Sequence, residues 1–169
     1  MEGSLELGTV AARLGIATLL GAVLGLEREL RGQPAGLRTH ILVSLGSALF
    51  TLASLYVALP LSGTTMDQGV RADVTRIASQ VVVGIGFLGG GSILRHGTNV
   101  KGLTTAANLW LTASIGLSCG IGFYLGAALT TLLALFALSG LRPLERVIRQ
   151  RRAAQRLTES KDTRESDEA

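Results

Sequence analysis

The chain is 169 residues long, carries a net charge of +4, and is 47% hydrophobic against 17% charged and 4% aromatic. That length is one domain's worth of chain, but no Asp, Glu, Lys or Arg occurs from Gly102 to Leu141, nor from Thr39 to Met66. Such stretches exclude a soluble enzyme, and the lone Cys119 excludes a disulfide framework.

The first apolar segment covers about residues 7–26. Its flank carries Glu2 and Glu6 rather than positive charge, so it reads as a membrane span and not as a cleaved signal peptide. Arg13 lies inside it, near the end that begins the chain. It either pairs with Asp73 or snorkels to the surface. A charged stretch follows, with Glu27, Arg28, Glu29, Arg31 and Arg38. Glu27 and Arg31 are four apart, which suits one more helical turn. Pro34-Ala35-Gly36 breaks that helix, and Thr39 is placed to cap the next. His40 stands at the start of this second span, about 39–59, where a structural hydrogen bond is favoured over a metal ligand.

The third span covers about 75–94. Asp73 and Arg76 lie three apart at its start and share a face, so they read either as an ion pair or as a carboxylate facing a vestibule. Gly84, Gly86 and Gly89 fit a G-x-G-x-x-G pattern. A dinucleotide site needs a strand–turn–helix context and an acid about 20 residues on, whereas here the next acid is Glu145. Helix packing is the better use of these glycines. Gly21 with Gly25, Gly86 with Gly90, Gly116 with Gly120 and Gly122 with Gly126 all follow the small-xxx-small spacing of close helix contacts, in a bundle or at a dimer seam. A break of the helix at Gly89-Gly90-Gly91 is the alternative.

The uncharged run from Gly102 would extend ~60 Å as a single helix, twice the ~30 Å hydrocarbon core. It therefore folds back at Ser118–Gly122, giving spans at about 104–119 and 122–140. Asn99, Thr104, Thr105 and Asn108 gather around the start of span four, where they can hydrogen-bond between helices. No period-2 alternation supports a strand. The fold class is thus all-α, an integral bundle of five transmembrane helices over residues 1–141.

Most of the sixteen Lys and Arg fall in the 27–38 loop, the 95–103 loop with Lys101, and the tail. The positive-inside rule then puts the N-terminus outside and the tail in the cytoplasm. Leu144, Val147 and Ile148 among five arginines read as a basic amphipathic segment on the inner leaflet, and residues 158–169 as disordered. The basic pI reflects this asymmetry and not nucleic-acid binding. Expected partners are the lipid bilayer, other inner-membrane proteins and a second copy of the chain. No cofactor and no catalysis are expected: Ser44, Ser47 and Ser92 lack a triad spacing, and Cys119 has apolar neighbours. For a hard cation the candidate acids are Asp73 on the outer side and Glu27 and Glu29 on the inner side, too far apart for one site.

Three segments carry a resemblance. Gly25-Leu26-Glu27-Arg28-Glu29, Gly32 and Pro34-Ala35-Gly36-Leu37-Arg38-Thr39-His40 resemble the first signature of the MgtC/SapB family of bacterial inner-membrane proteins. Asp73, Thr75-Arg76-Ile77-Ala78, Gln80-Val81 and Gly84–Gly91 resemble the second, with Val74 where the family often has Pro. Asn99-Val100-Lys101-Gly102-Leu103-Thr104-Thr105-Ala106-Ala107, with Leu109-Trp110, resembles the third. The short tail suggests the SapB-like form without an ACT-like C-terminal domain. The resemblance implies a role in growth under Mg²⁺ limitation and, in pathogens, survival inside macrophages. That role would be exerted on other membrane machinery, the F-type ATP synthase among it, or by transport of Mg²⁺ or another cation. Mg²⁺ would be a transported or sensed ion.

Overall fold

The computed structural model describes residues 6–58 and 75–141. Asp73, the Leu144–Ile148 segment and the rest of the tail lie outside these residues, as does any pairing of Asp73 with Arg13 or Arg76. The described elements are α1 (Leu7–Leu30), α2 (Leu37–Ala58), α3 (Thr75–Gly91), β1 (Leu94–His96), β2 (Asn99–Lys101), α4 (Leu103–Ile121) and α5 (Tyr124–Leu135), which continues into a π-helical turn at Phe136–Gly140. Residues up to Leu132 form one unit. A second unit begins at Leu133, and its described part is the end of α5 with the π-turn.

Two helices end in the same way, and each needs a glycine there. Gly32 closes α1 at φ +63° and Gly122 closes α4 at φ +88°. At α1, Gln33 N–H donates to Arg28 O at 3.1 Å and Gly32 N–H to Glu29 O at 2.9 Å. At α4, Phe123 N–H donates to Ser118 O at 2.8 Å and Gly122 N–H to Cys119 O at 3.0 Å. Both are Schellman caps, which a left-handed residue makes possible. The first helix therefore stops before Pro34, at Gly32.

The second helix begins two residues earlier than Thr39, because its first donor is satisfied from another helix. Glu29 Oε2 accepts Leu37 N–H at 3.0 Å. A side chain on Gly36 would occupy the space of that carboxylate.

The third helix ends at Gly91, and Arg95–Lys101 is not a plain loop. β1 and β2 pair antiparallel, with His96 opposite Asn99. The two-residue connection begins with Gly97 at φ +60°, a geometry that a tight hairpin favours. Three-residue strands are too short to show an alternation in sequence, which is why periodicity missed them.

Within the first unit, α2 packs on both α1 and α4, and α3 packs on α2 and α4. Small side chains make the α1–α2–α4 contacts. Ala17, Gly21 and Gly25 on α1 and Ala113, Gly116 and Gly120 on α4 are buried. A Cβ at Gly21 would meet His40 O and Ser44 Cβ at 2.8 Å. One at Gly25 would meet Leu37 Cα at 2.7 Å. Gly116 lies against Ser44 and Ser47, and Gly120 against Ala48 and Thr51. α2 is thus held between two glycine faces. Beside them, Ala35, Ile85, Leu109 and Ala113 form an apolar cluster under Val43 and Val81.

Among the described residues, two helices, Leu7–Leu30 and Leu37–Val57, are long and apolar enough to cross a membrane. In the apolar window of the first only 17% is buried. Leu7, Leu19, Val23, Leu26 and Leu30 point outward while Ala17 and Leu24 face the bundle, the reverse of a mostly buried core helix in a soluble protein. The inner face of α4 carries three polar side chains, Thr105, Asn108 and Thr112, all buried.

Candidate functional site

The polar side chains of the first unit concentrate where α1 ends and α2 and α4 begin. Arg28 is in the last turn of α1 and is 2% exposed. Its Nη2 donates to Gln33 Oε1 at 2.9 Å and to Thr105 Oγ1 at 3.1 Å. The Schellman cap turns the chain so that Gln33 comes back over Arg28. One guanidinium thereby ties the α1 terminus to the start of α4. Charge-assisted bonds of this kind are stronger than neutral ones.

His40 stands one turn into α2 and is fully buried. Its Nδ1 lies 2.8 Å from Gly36 O, and its Nε2 lies 2.8 Å from Asn108 Nδ2. A carbonyl only accepts, so Nδ1 carries the proton and Nε2 presents its lone pair to the Asn108 amide. Both ring nitrogens of a neutral imidazole are then used. Thr112 Oγ1 donates to Asn108 O at 2.8 Å. Ser44, one turn further along α2, donates from Oγ to Ala17 O at 2.8 Å.

The structure thus brings together Arg28, His40, Thr105 and Asn108. Glu27 forms an ion pair with Arg31, the residue that follows α1, and Glu29 is used as the α2 cap. Arg38, Asn99 and Lys101 are exposed. Arg76 is also exposed, near the start of α3, and borders a groove between α2 and α3. Among the packing glycines, Gly21, Gly25, Gly116 and Gly120 make close contacts, and Gly89 lies 3.6 Å in the same sense from Ala106 Cβ. Among the described residues, no atom lies within 4 Å of a Cβ position at Gly84, Gly86 or Gly90. Equal spacing therefore serves different surroundings on different helices.

Sequence reasoning missed the partner of Arg13, the part played by Gln33 and the polar stripe of α2. Arg13 donates from Nη1 to Gly120 O at 2.6 Å, placing a cation at the negative end of α4. Its signal was being the only charge between Leu7 and Leu26. Gln33 had no signal beyond its place beside the helix stop. Ser44, Ser47, Thr51 and Ser54 are all buried, and their i, i+3, i+7, i+10 spacing marks one polar stripe on a helix.

Among the described residues, no group of three or more His, Cys, Asp or Glu side chains could hold a metal ion. What the cluster does chemically is lock three helix ends together through matched donors and acceptors.

Helices with apolar faces turned outward and polar ends bonded inward define a membrane protein. The MgtC family model matches residues 14–147, and the chain belongs to that family. It is 47% identical to the Escherichia coli K12 protein named "Putative magnesium transporter YhiD" over 66% of this chain and 51% of that one. It is 44% identical to protein MgtC of Brucella abortus over 84% of this chain and 55% of the relative. It is 46% identical to protein MgtC of Salmonella typhimurium over 72% and 47%. The chain spans about half the length of these relatives. No solved structure matches it.

Proposed function

We propose that the chain is a five-span bacterial inner-membrane protein, N-terminus outside and C-terminus cytoplasmic, that supports growth under Mg²⁺ limitation by acting on other membrane proteins or on ion homeostasis. The observation that carries this reading is the buried Arg28 guanidinium at the centre of the polar cluster. A cation path lined by the same groups would bring Mg²⁺ against a fixed positive charge in a low-dielectric setting, where like-charge repulsion is strongest. The oxygens of Gln33 and Thr105, which could otherwise face an ion, accept from Arg28 instead. The cluster is better suited to holding a rigid scaffold whose outward helix faces meet partners. Virulence support in pathogens belongs to the same proposal.

Transport of Mg²⁺ or another cation is the second reading. It is favoured by the relative named "Putative magnesium transporter YhiD" and would use Asp73 or Glu27.

The test is complementation of a bacterial strain that lacks its own MgtC-family protein and grows poorly at low Mg²⁺. The full chain restores growth, and crosslinkers placed on the exposed face of α3, at Val83 and Phe87, trap a second membrane protein. Restored growth with no protein trapped at either position, or at other outward positions on the bundle, contradicts action on a partner.

A further inference from the structure

The groove between α2 and α3 has no role in the cluster at Arg28. It holds about 830 Å³, within the ~300–1,000 Å³ of small-molecule sites. Its walls are apolar along most of their length, with Leu42, Val43 and Phe50 on α2 and Val81, Ile85 and Leu88 on α3. Gly46 and Gly84 also line it, and neither has an atom within 4 Å of a Cβ position. These two glycines widen the groove, and none of the described residues fills the space beside them.

Its charge lies at one end, while Ser47 in the lining donates its hydroxyl to Val43 O at 2.7 Å. Arg76 and Gln80 line the groove and are both exposed. They are four apart on α3 and so share a face. Among the described residues, no acidic side chain lines the groove. Arg76 is in the first turn of α3, where the helix dipole is itself positive, so an anion there is favoured by both charges. A guanidinium can grip phosphate oxygens with paired donors, and the Gln80 amide adds another. An apolar trough ending in a phosphate-type grip matches an amphiphile with one anionic end.

We propose that this groove binds an anionic glycerophospholipid, its phosphate on Arg76 and Gln80 and an acyl chain along the Gly46–Gly84 trough. The inference goes beyond the proposed function and does not depend on it.

The full-length chain is delipidated in detergent, and bound lipid is counted by native mass spectrometry. The probes are phosphatidylglycerol and phosphatidylcholine with the same acyl chains, and inorganic phosphate as competitor. Phosphatidylglycerol is expected to bind about tenfold more tightly, the scale of one charge-assisted contact. Arg76→Gln, at an exposed site, is expected to abolish that preference while leaving the binding of both lipids at the phosphatidylcholine level. Gly84→Leu is expected to weaken both lipids, with circular dichroism confirming unchanged helicity. Equal binding of the two lipids by the unaltered chain overturns the proposal, as does a preference that survives Arg76→Gln. Displacement of phosphatidylglycerol by millimolar inorganic phosphate overturns the lipid as occupant. A preference that emerges only in Asp73→Asn assigns Arg76 to that carboxylate and likewise overturns it.

Discussion

Asn108 Nδ2 donates to His40 Nε2 across 2.8 Å, joining α4 to α2 between two buried side chains 68 residues apart. With Gly36 O on Nδ1, the imidazole is fully used and cannot turn. Replacing Asn108 by Leu leaves Nε2 without that donor in a buried site. The expected loss is about 1 kcal/mol, between the ~0.6 average of intramembrane hydrogen bonds and the ~1–3 of an orphaned buried group. Denaturant titration of the detergent-solubilised chain checks this. The double variant Asn108→Leu/His40→Leu should lose less than the two single losses added together, since it leaves no orphan at that bond.

Gly116 and Gly84 sit in opposite surroundings. Gly116→Ala forces α4 away from the Ser44 carbonyl and should lower the melting temperature by several degrees. Gly84→Ala meets open space and replaces a poor helix former, so it should be neutral or stabilising by about 0.5–1 kcal/mol. Thermal melts of both variants in the same detergent decide it. Equal losses would show that spacing, rather than contact, governs these glycines.

Arg13 places its charge on the carbonyl end of α4. Arg13→Leu should cost about 1–2 kcal/mol, as expected for a partly buried cation at a helix C-terminus. Lys at this position should recover part of that. Unfolding titrations of the three chains give the comparison.

Glu29 caps α2 from the preceding helix. Glu29→Ala should cost about 1 kcal/mol by loss of that cap. Glu29→Gln retains an accepting oxygen and should cost less. Hydrogen exchange at the Leu37 amide reads the effect locally, with faster exchange expected in the alanine variant only.

Much of the helical framework is legible in the residues themselves. Uncharged runs mark where helices lie, and glycine spacing marks α1 and α4 as close-packing faces, because each helix repeats its face every three to four residues. The same spacing at Gly86 and Gly90 meets no neighbour, since spacing reports a face and not what stands opposite it. Pairings between distant positions, such as Arg28 with Thr105 or His40 with Asn108, depend on how α1, α2 and α4 are arranged, which no local pattern encodes. Arg28 looked like one of several loop charges, and only the turn at Gly32 shows why it is buried. The hairpin at Leu94–Lys101 escaped for lack of length.

The central claim is that a guanidinium-centred junction of helix ends supports a scaffold and not a cation path. Mg²⁺ uptake into liposomes containing the full-length purified chain, with a Mg²⁺-sensitive dye inside, addresses it most directly. Inserted and correctly folded protein should give no uptake beyond that of empty vesicles. Saturable uptake that Asp73→Asn abolishes would contradict the claim and establish transport.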